Sequence, residues 1–152
     1  MSFHGNDELG RTAIVDPGHS IQIGLRGSLF QTGDIGQSLD LGYEVVTTDG
    51  IFEMGIPALA ARIAERVAGR PAFLTFDMDV IDPAYAPGVQ TPECGGLSAR
   101  ECLQLLRALG GITLVGCDVV EVNPLYDGPG QITALLAATV MAELLALIAA
   151  ER

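Results

Sequence analysis

Four short apolar runs stand out along the chain: Ser20 to Leu25 (SIQIGL), Tyr43 to Thr48 (YEVVTT), Ala72 to Asp77 (AFLTFD) and Ile112 to Val122 (ITLVGCDVVEV). Gly69-Arg70-Pro71 precedes the third and Gly110-Gly111 the fourth. Val- and Ile-rich runs of this length, bounded by turn residues, predict buried strands. Helical spacing lies between them. Ile56 to Ala68 places Leu59, Ile63 and Val67 on one face and Arg62, Glu65 and Arg66 on another. Ser98 with Glu101 three residues later forms a capping-box signal for a helix running to about Leu109, where the glycine pair stops it. A last helix is expected from about Gln131 to Ala150.

Strands alternating with helices imply a mainly parallel sheet with helices on both faces. In such sheets ligands bind beyond the carboxyl ends of the strands. Two of the strands finish in acids at that edge: Thr75-Phe76-Asp77-Met78-Asp79 and Asp118-Val119-Val120-Glu121. The pattern therefore sends several carboxylates to one side of the molecule.

Composition narrows the setting. At 152 residues and 49% hydrophobic, the chain suits one domain with an ample core. No uninterrupted apolar run reaches transmembrane length; Ile132 to Ala150 contains Thr133, Thr139 and Glu143 and reads as a buried helix. The opening MSFHGNDELG has neither the basic nor the apolar region of a signal peptide. The net charge is −11 and all eight basic residues are Arg, which argues against a nucleic-acid partner. Three cysteines without a CxxC spacing predict reduced thiols, a cytoplasmic protein and no thiolate-held zinc.

Asp77 and Asp79 carry the first candidate chemistry. If strand geometry persists, an Asp-x-Asp sends two carboxylates to the same side. Hard oxygen ligands on a rigid element suit Mg²⁺ or Mn²⁺. A solvated turn is the alternative, but Phe76, Met78, Val80 and Ile81 embed the acids in an apolar segment. The stretch from Pro83 to Gly96 is stiffened by proline and glycine, as suits either a pocket wall or a crossover loop. Glu121 at a strand terminus could accept a guanidinium in bidentate fashion, or only hydrogen-bond its own backbone. His4-Gly5 is a further acid/base candidate, although a histidine so near a terminus is usually disordered; His19 reads as a turn residue.

Taken together, SIQIGLRGS at Ser20 to Ser28, FDMDVIDPAYAPGVQTPECGGLSARE at Phe76 to Glu101 and DVVEVNPLYD at Asp118 to Asp127 resemble the ureohydrolases: arginase, agmatinase, guanidinobutyrase and relatives. QITALLAATVMAELLALIA is similar to the family's last helix. The resemblance implies a three-layer α/β/α fold and a centre of two Mn²⁺ ions, with Asp77 and Asp79 as metal ligands. It implies that Glu121 pairs with a guanidinium substrate and that Thr91 lines the substrate pocket. Asp118 would support Glu121, and His4 would be the histidine that shuttles protons. The chemistry is consistent with these roles. A guanidinium is a poor electrophile, and two metals about 3.5–4 Å apart lower the pKa of a shared water enough for attack at neutral pH.

The resemblance is to the C-terminal half of the family, so residues 1–152 are expected to form a partial domain with the N-terminal part of the fold missing. The family's other metal-ligating segments, a histidine and a D-A-H-x-D run, precede the HG motif and have no counterpart here. Asn6-Asp7-Glu8-Leu9-Gly10 after His4 also departs from the family, as does Val89-Gln90 before Thr91. Three readings follow: a fragment of a metal-dependent amidinohydrolase, a non-catalytic binding or assembly subunit, or one half of a split enzyme. Tyr126-Asp127 and the PGxxTPE loop lie nearer the agmatinase and guanidinobutyrase branch, with urea and an amine as products. Exposed strand edges and helix faces predict a homo-oligomer.

Overall fold

The computed structural model describes residues 14–28 and 33–150. Asp16 caps a 3-10 turn at Pro17–His19, which leads into strand β1 (Ile21–Leu25). Helix α1 (Asp34–Asp40), strand β2 (Glu44–Thr47), helix α2 (Thr48–Met54) and helix α3 (Ile56–Val67) follow. Strand β3 (Ala72–Asp77), helix α4 (Ala99–Ala108), strand β4 (Leu114–Val120) and helix α5 (Ile132–Ala150) complete the order. The fold is α/β with parallel strand pairing, as the alternation of elements predicts.

Among the described residues the strands form two separate parallel pairs, β1–β2 and β3–β4, rather than one continuous sheet. In the first, Ile23 lies opposite Val46, and the register slips at Gly24. In the second, Leu74 lies opposite Cys117 and Asp77 opposite Val120. Several expected boundaries shift, two strands most informatively. The strand expected to reach Thr48 stops at Thr47, because the Thr47 hydroxyl accepts from the Gly50 amide and starts α2 at once. The run expected from Ile112 to Val122 narrows to Leu114–Val120; Ile112 closes the preceding turn, and Glu121 leaves the strand in a left-handed conformation.

One core joins both pairs. It combines Val46 and Phe76 from strands, Leu59 and Ile63 from α3, Leu105 and Leu106 from α4, and Val140 and Leu144 from α5. The α4 capping box is present: the Glu101 amide donates to Ser98 Oγ (3.2 Å) and the Ser98 amide to Glu101 Oε2 (2.8 Å). α3 packs on α4, α4 on α5 and α5 on β4. The opposite side of β3 is open: Phe73 is 63% exposed and Thr75 is exposed.

The expectation of a buried last helix needs correction. α5 is long and apolar enough by composition to cross a membrane. Thr133, Ala137, Val140 and Leu144 form its buried stripe, while Ile132, Leu135 and Leu145 are each more than half exposed. The buried stripe against α4 and β4 makes it a core helix with an uncovered apolar back.

Candidate functional site

β3 ends at Asp77, and the chain turns at once into a 3-10 turn over Met78–Val80. The strand geometry assumed for Asp77 and Asp79 therefore does not persist. The acids are associated by another device: Asp77 Oδ1 accepts the Asp79 amide at 3.0 Å, so Asp77 caps the turn that carries Asp79. Met78, fully buried between them, anchors the turn to the core.

The loop that follows is held at both ends. Asp82 Oδ1 accepts from the Ala84 amide (2.9 Å), and Oδ2 accepts from the Gly95 (2.8 Å) and Gly96 (3.2 Å) amides. These donors hold the Asp82 carboxyl below the usual carboxylate range, Ala84 foremost. A short parallel bridge pairs Ile81 with Leu97: the Leu97 amide donates to Val80 O and the Asp82 amide to Leu97 O. Ala86 and Val89 are buried in the core as plugs, and the Gly88 amide donates to Thr133 Oγ1 at the start of α5. The proline- and glycine-rich stretch is thus an ordered wall.

Thr91 is exposed on that wall, and its hydroxyl donates to Asp79 Oδ2 at 3.2 Å. The structure so joins Asp77, Asp79 and Thr91 in one chain of hydrogen bonds. Burial pushes the Asp77 carboxyl above its ordinary value, the Asp79 amide opposes this, and the charges of Asp79 and Glu121 add to the rise. Glu121 is exposed just beyond β4 with φ of 60°, a left-handed conformation that is uncommon for a side chain other than glycine. Asp118, within β4, has its Oδ1 buried and without a hydrogen-bond partner among the described residues. His4 lies outside the described residues.

The donor set fits a hard divalent cation in part. Asp77 and Asp79 offer carboxylate oxygens in an acidic, half-buried setting, and a cation there would offset both the crowding and the burial. Among the described residues, however, no group of three or more His, Cys, Asp or Glu is arranged to hold a metal. Further ligands would be needed to close such a site.

One residue was not singled out from the sequence. Arg26, just after β1, reaches the carbonyls of Asp79 and Glu93, thereby touching both the acidic turn and the Thr91 loop. Its signal was present: a lone cation between apolar and glycine residues in Ile23-Gly24-Leu25-Arg26-Gly27.

Comparison with known proteins converges on one group. The family model described as the arginase family matches residues 8–147. The chain is 43% identical over 136 residues to the guanidinopropionase of Pseudomonas aeruginosa, covering 90% of this chain and 42% of that protein. It is 41% identical over 152 residues to the agmatinase of Photorhabdus laumondii, covering 100% of this chain and 45% of that protein. The solved proclavaminate amidino hydrolase from Streptomyces clavuligerus superposes with a TM-score of 0.85 at 44% identity, over 98% of this chain and 47% of that one. Arginase from Bacillus caldovelox superposes at 0.80 with 28% identity, over 89% and 45%. The chain spans less than half the length of these relatives. With a family match across most of its residues and a shared fold, the chain belongs to the arginase family.

Proposed function

We propose that this chain carries the guanidinium-recognising and part of the metal-holding machinery of an amidinohydrolase. The substrate would be a small linear guanidino compound of the agmatine or guanidinobutyrate kind, and the metal Mn²⁺. The observation that carries the reading is the concentration of carboxylates around Asp77: it caps the Asp79 turn, and the charges of Asp79 and Glu121 act on it. The named activities of the relatives, guanidinopropionase and agmatinase, accord with it.

In this reading Asp77 and Asp79 would ligate the metal, which when bound supplies Lewis acidity and a nucleophile at neutral pH. Thr91 orients Asp79 through its 3.2 Å hydrogen bond and would line the substrate side of the loop. Glu121, exposed at the end of β4, accepts the guanidinium and holds its carbon toward the Asp77–Asp79 turn. His4 would deliver a proton to the departing amine, giving urea and an amine as products. The rest of the coordination sphere would come from ligands outside the described residues.

A Mn²⁺ titration coupled to a urea-release assay tests this. The chain is assayed with agmatine, guanidinobutyrate and arginine, beside Asp77→Asn and Asp79→Asn. Specific Mn²⁺ uptake that both variants abolish is the expected result. No uptake and no urea from any of the three would sink the reading for this chain.

A further inference from the structure

On the reading that Asp77 and Asp79 hold the metal, we propose that Arg26 is a positioning residue, a guanidinium clamp that sets the Asp79 turn and the Thr91 loop against each other. Its Nη2 donates to Asp79 O and to Glu93 O (2.7 Å), and its Nε donates to Glu93 O (3.2 Å). Nη1 makes a longer approach, 3.5 Å, to Gly24 O in its own strand. The fork therefore joins three segments that lie far apart in sequence, 53 residues from Arg26 to Asp79 and 67 to Glu93.

The backbone is shaped for this arrangement. Gly24 (φ 88°) and Gly27 (φ 81°) flank the clamp. A Cβ on Gly24 would overlap the Val80 side chain, and one on Gly27 would sit 2.7 Å from Glu93 Oε2. Both glycines let the end of β1 approach the acidic turn and the loop closely enough for one side chain to span them. Carbonyl recognition matters as much as proximity. None of these bonds goes to the Asp77 or Asp79 carboxylate, so the arginine orders the turn while leaving the acids available to a cation. Thr91 holds Asp79 by its carboxylate and Arg26 holds it by its carbonyl, which fixes the residue at two points. A lysine lacks the Nε that adds the second bond to Glu93 O and the planar, pre-organised guanidinium that aims both donors at once.

The test compares the chain with Arg26→Gln, Arg26→Lys and a charge-matched control, Arg100→Gln, on the exposed side of α4. Amide hydrogen exchange and a Mn²⁺ titration, with free Mn²⁺ read by electron paramagnetic resonance, are run on each. In Arg26→Gln, exchange across residues 91–97 rises about tenfold or more while α4 and α5 stay as in the parent. Mn²⁺ binding weakens by about 10–100-fold, as for loss of a group that orients a ligand. Arg26→Lys falls between, and Arg100→Gln matches the parent. Unchanged exchange at 91–97, equal loosening of α4 and α5, or unaltered Mn²⁺ affinity in Arg26→Gln overturns the proposal. If the parent chain takes up no Mn²⁺, the metal assignment fails, and the exchange comparison still decides whether Arg26 clamps the loop.

Discussion

Gly96→Ala gives a direct measure of how tightly the loop closes on the acidic turn. A Cβ at Gly96 would lie 2.5 Å from the Asp82 nitrogen and 2.8 Å from both Ile81 C and Val80 O. All three are backbone atoms, so no side-chain rotation can relieve the overlap. The two strands of the Ile81–Leu97 bridge must separate instead. That stretches the Leu97-to-Val80 (3.0 Å) and Asp82-to-Leu97 (2.9 Å) bonds and draws the Gly95 and Gly96 amides away from Asp82. Overpacking costs about 1–3 kcal/mol, and each weakened bond about 1 kcal/mol, so after partial relaxation the expected loss is about 2–4 kcal/mol. Against a typical stability of about 5–15 kcal/mol the variant still folds. With a urea slope of about 2 kcal/mol per molar, the midpoint falls by about 1–2 M at unchanged slope. The control is Gly128→Ala, whose added Cβ meets nothing within 4 Å and should be neutral to about 0.5 kcal/mol. Urea unfolding followed by circular dichroism decides the matter. A Gly96→Ala midpoint indistinguishable from Gly128→Ala would refute the closure argument.

Three further outcomes follow from particular residues. Glu121→Gly should raise the melting temperature, because it removes a left-handed cost of about 1 kcal/mol, while Glu121→Gln should leave it nearly unchanged; calorimetric titration with a guanidinium compound should show binding lost in both. A lower melting temperature for the glycine variant would mean that the Glu121 side chain holds the turn. Asp82 has a depressed carboxyl pKa, so its stabilising effect is present above its ordinary value of 3.8 and is lost as pH falls through the lower folded value; an acid titration of Asp82→Asn should lack that loss below about pH 4 and show the rest of the acid dependence unchanged. Burial pushes the Cys102 thiol up to about 12, whereas Cys94 is exposed; mass spectrometry after a brief thiol-reagent pulse at pH 8 should find Cys94 modified and Cys102 untouched until denaturant is added.

Much of the architecture was legible because its signals are local. The strands at Ile21–Leu25 and Ala72–Asp77 are compact apolar runs, and Ser98 with Glu101 marks the start of α4 within one turn. α1 and α2 were missed for a physical reason. Asp34–Asp40 includes Gly36 and Ser38, and Thr48–Met54 begins with a Thr and includes Gly50, so intrinsic propensity argues against helix. Packing of α1 on β2, and of α2 on both strands and α3, overrides that propensity. The acids of the candidate site could be named from their place at strand ends. Their mode of association could not, because it depends on Asp77 turning to cap Asp79 rather than on strand periodicity. The exposed back of α5 and the Arg26 bridges were hidden for a related reason: both depend on partners distant in sequence, which a local pattern does not report.

The separation of the strands into two pairs bears on how the molecule comes apart. Since among the described residues no ladder links β1–β2 to β3–β4, cohesion between them passes through side chains and loop contacts. These include the closeness of Gly24 to Val80, the Arg26 bridges and the helix stack through α3 and α4. Side-chain seams yield at lower free energy than continuous ladders, so the chain should open first along this seam, as two sub-global units rather than one. The acidic turn lies on that boundary. A partner that inserts there would therefore meet the candidate ligands at the part of the molecule that requires the least work to part.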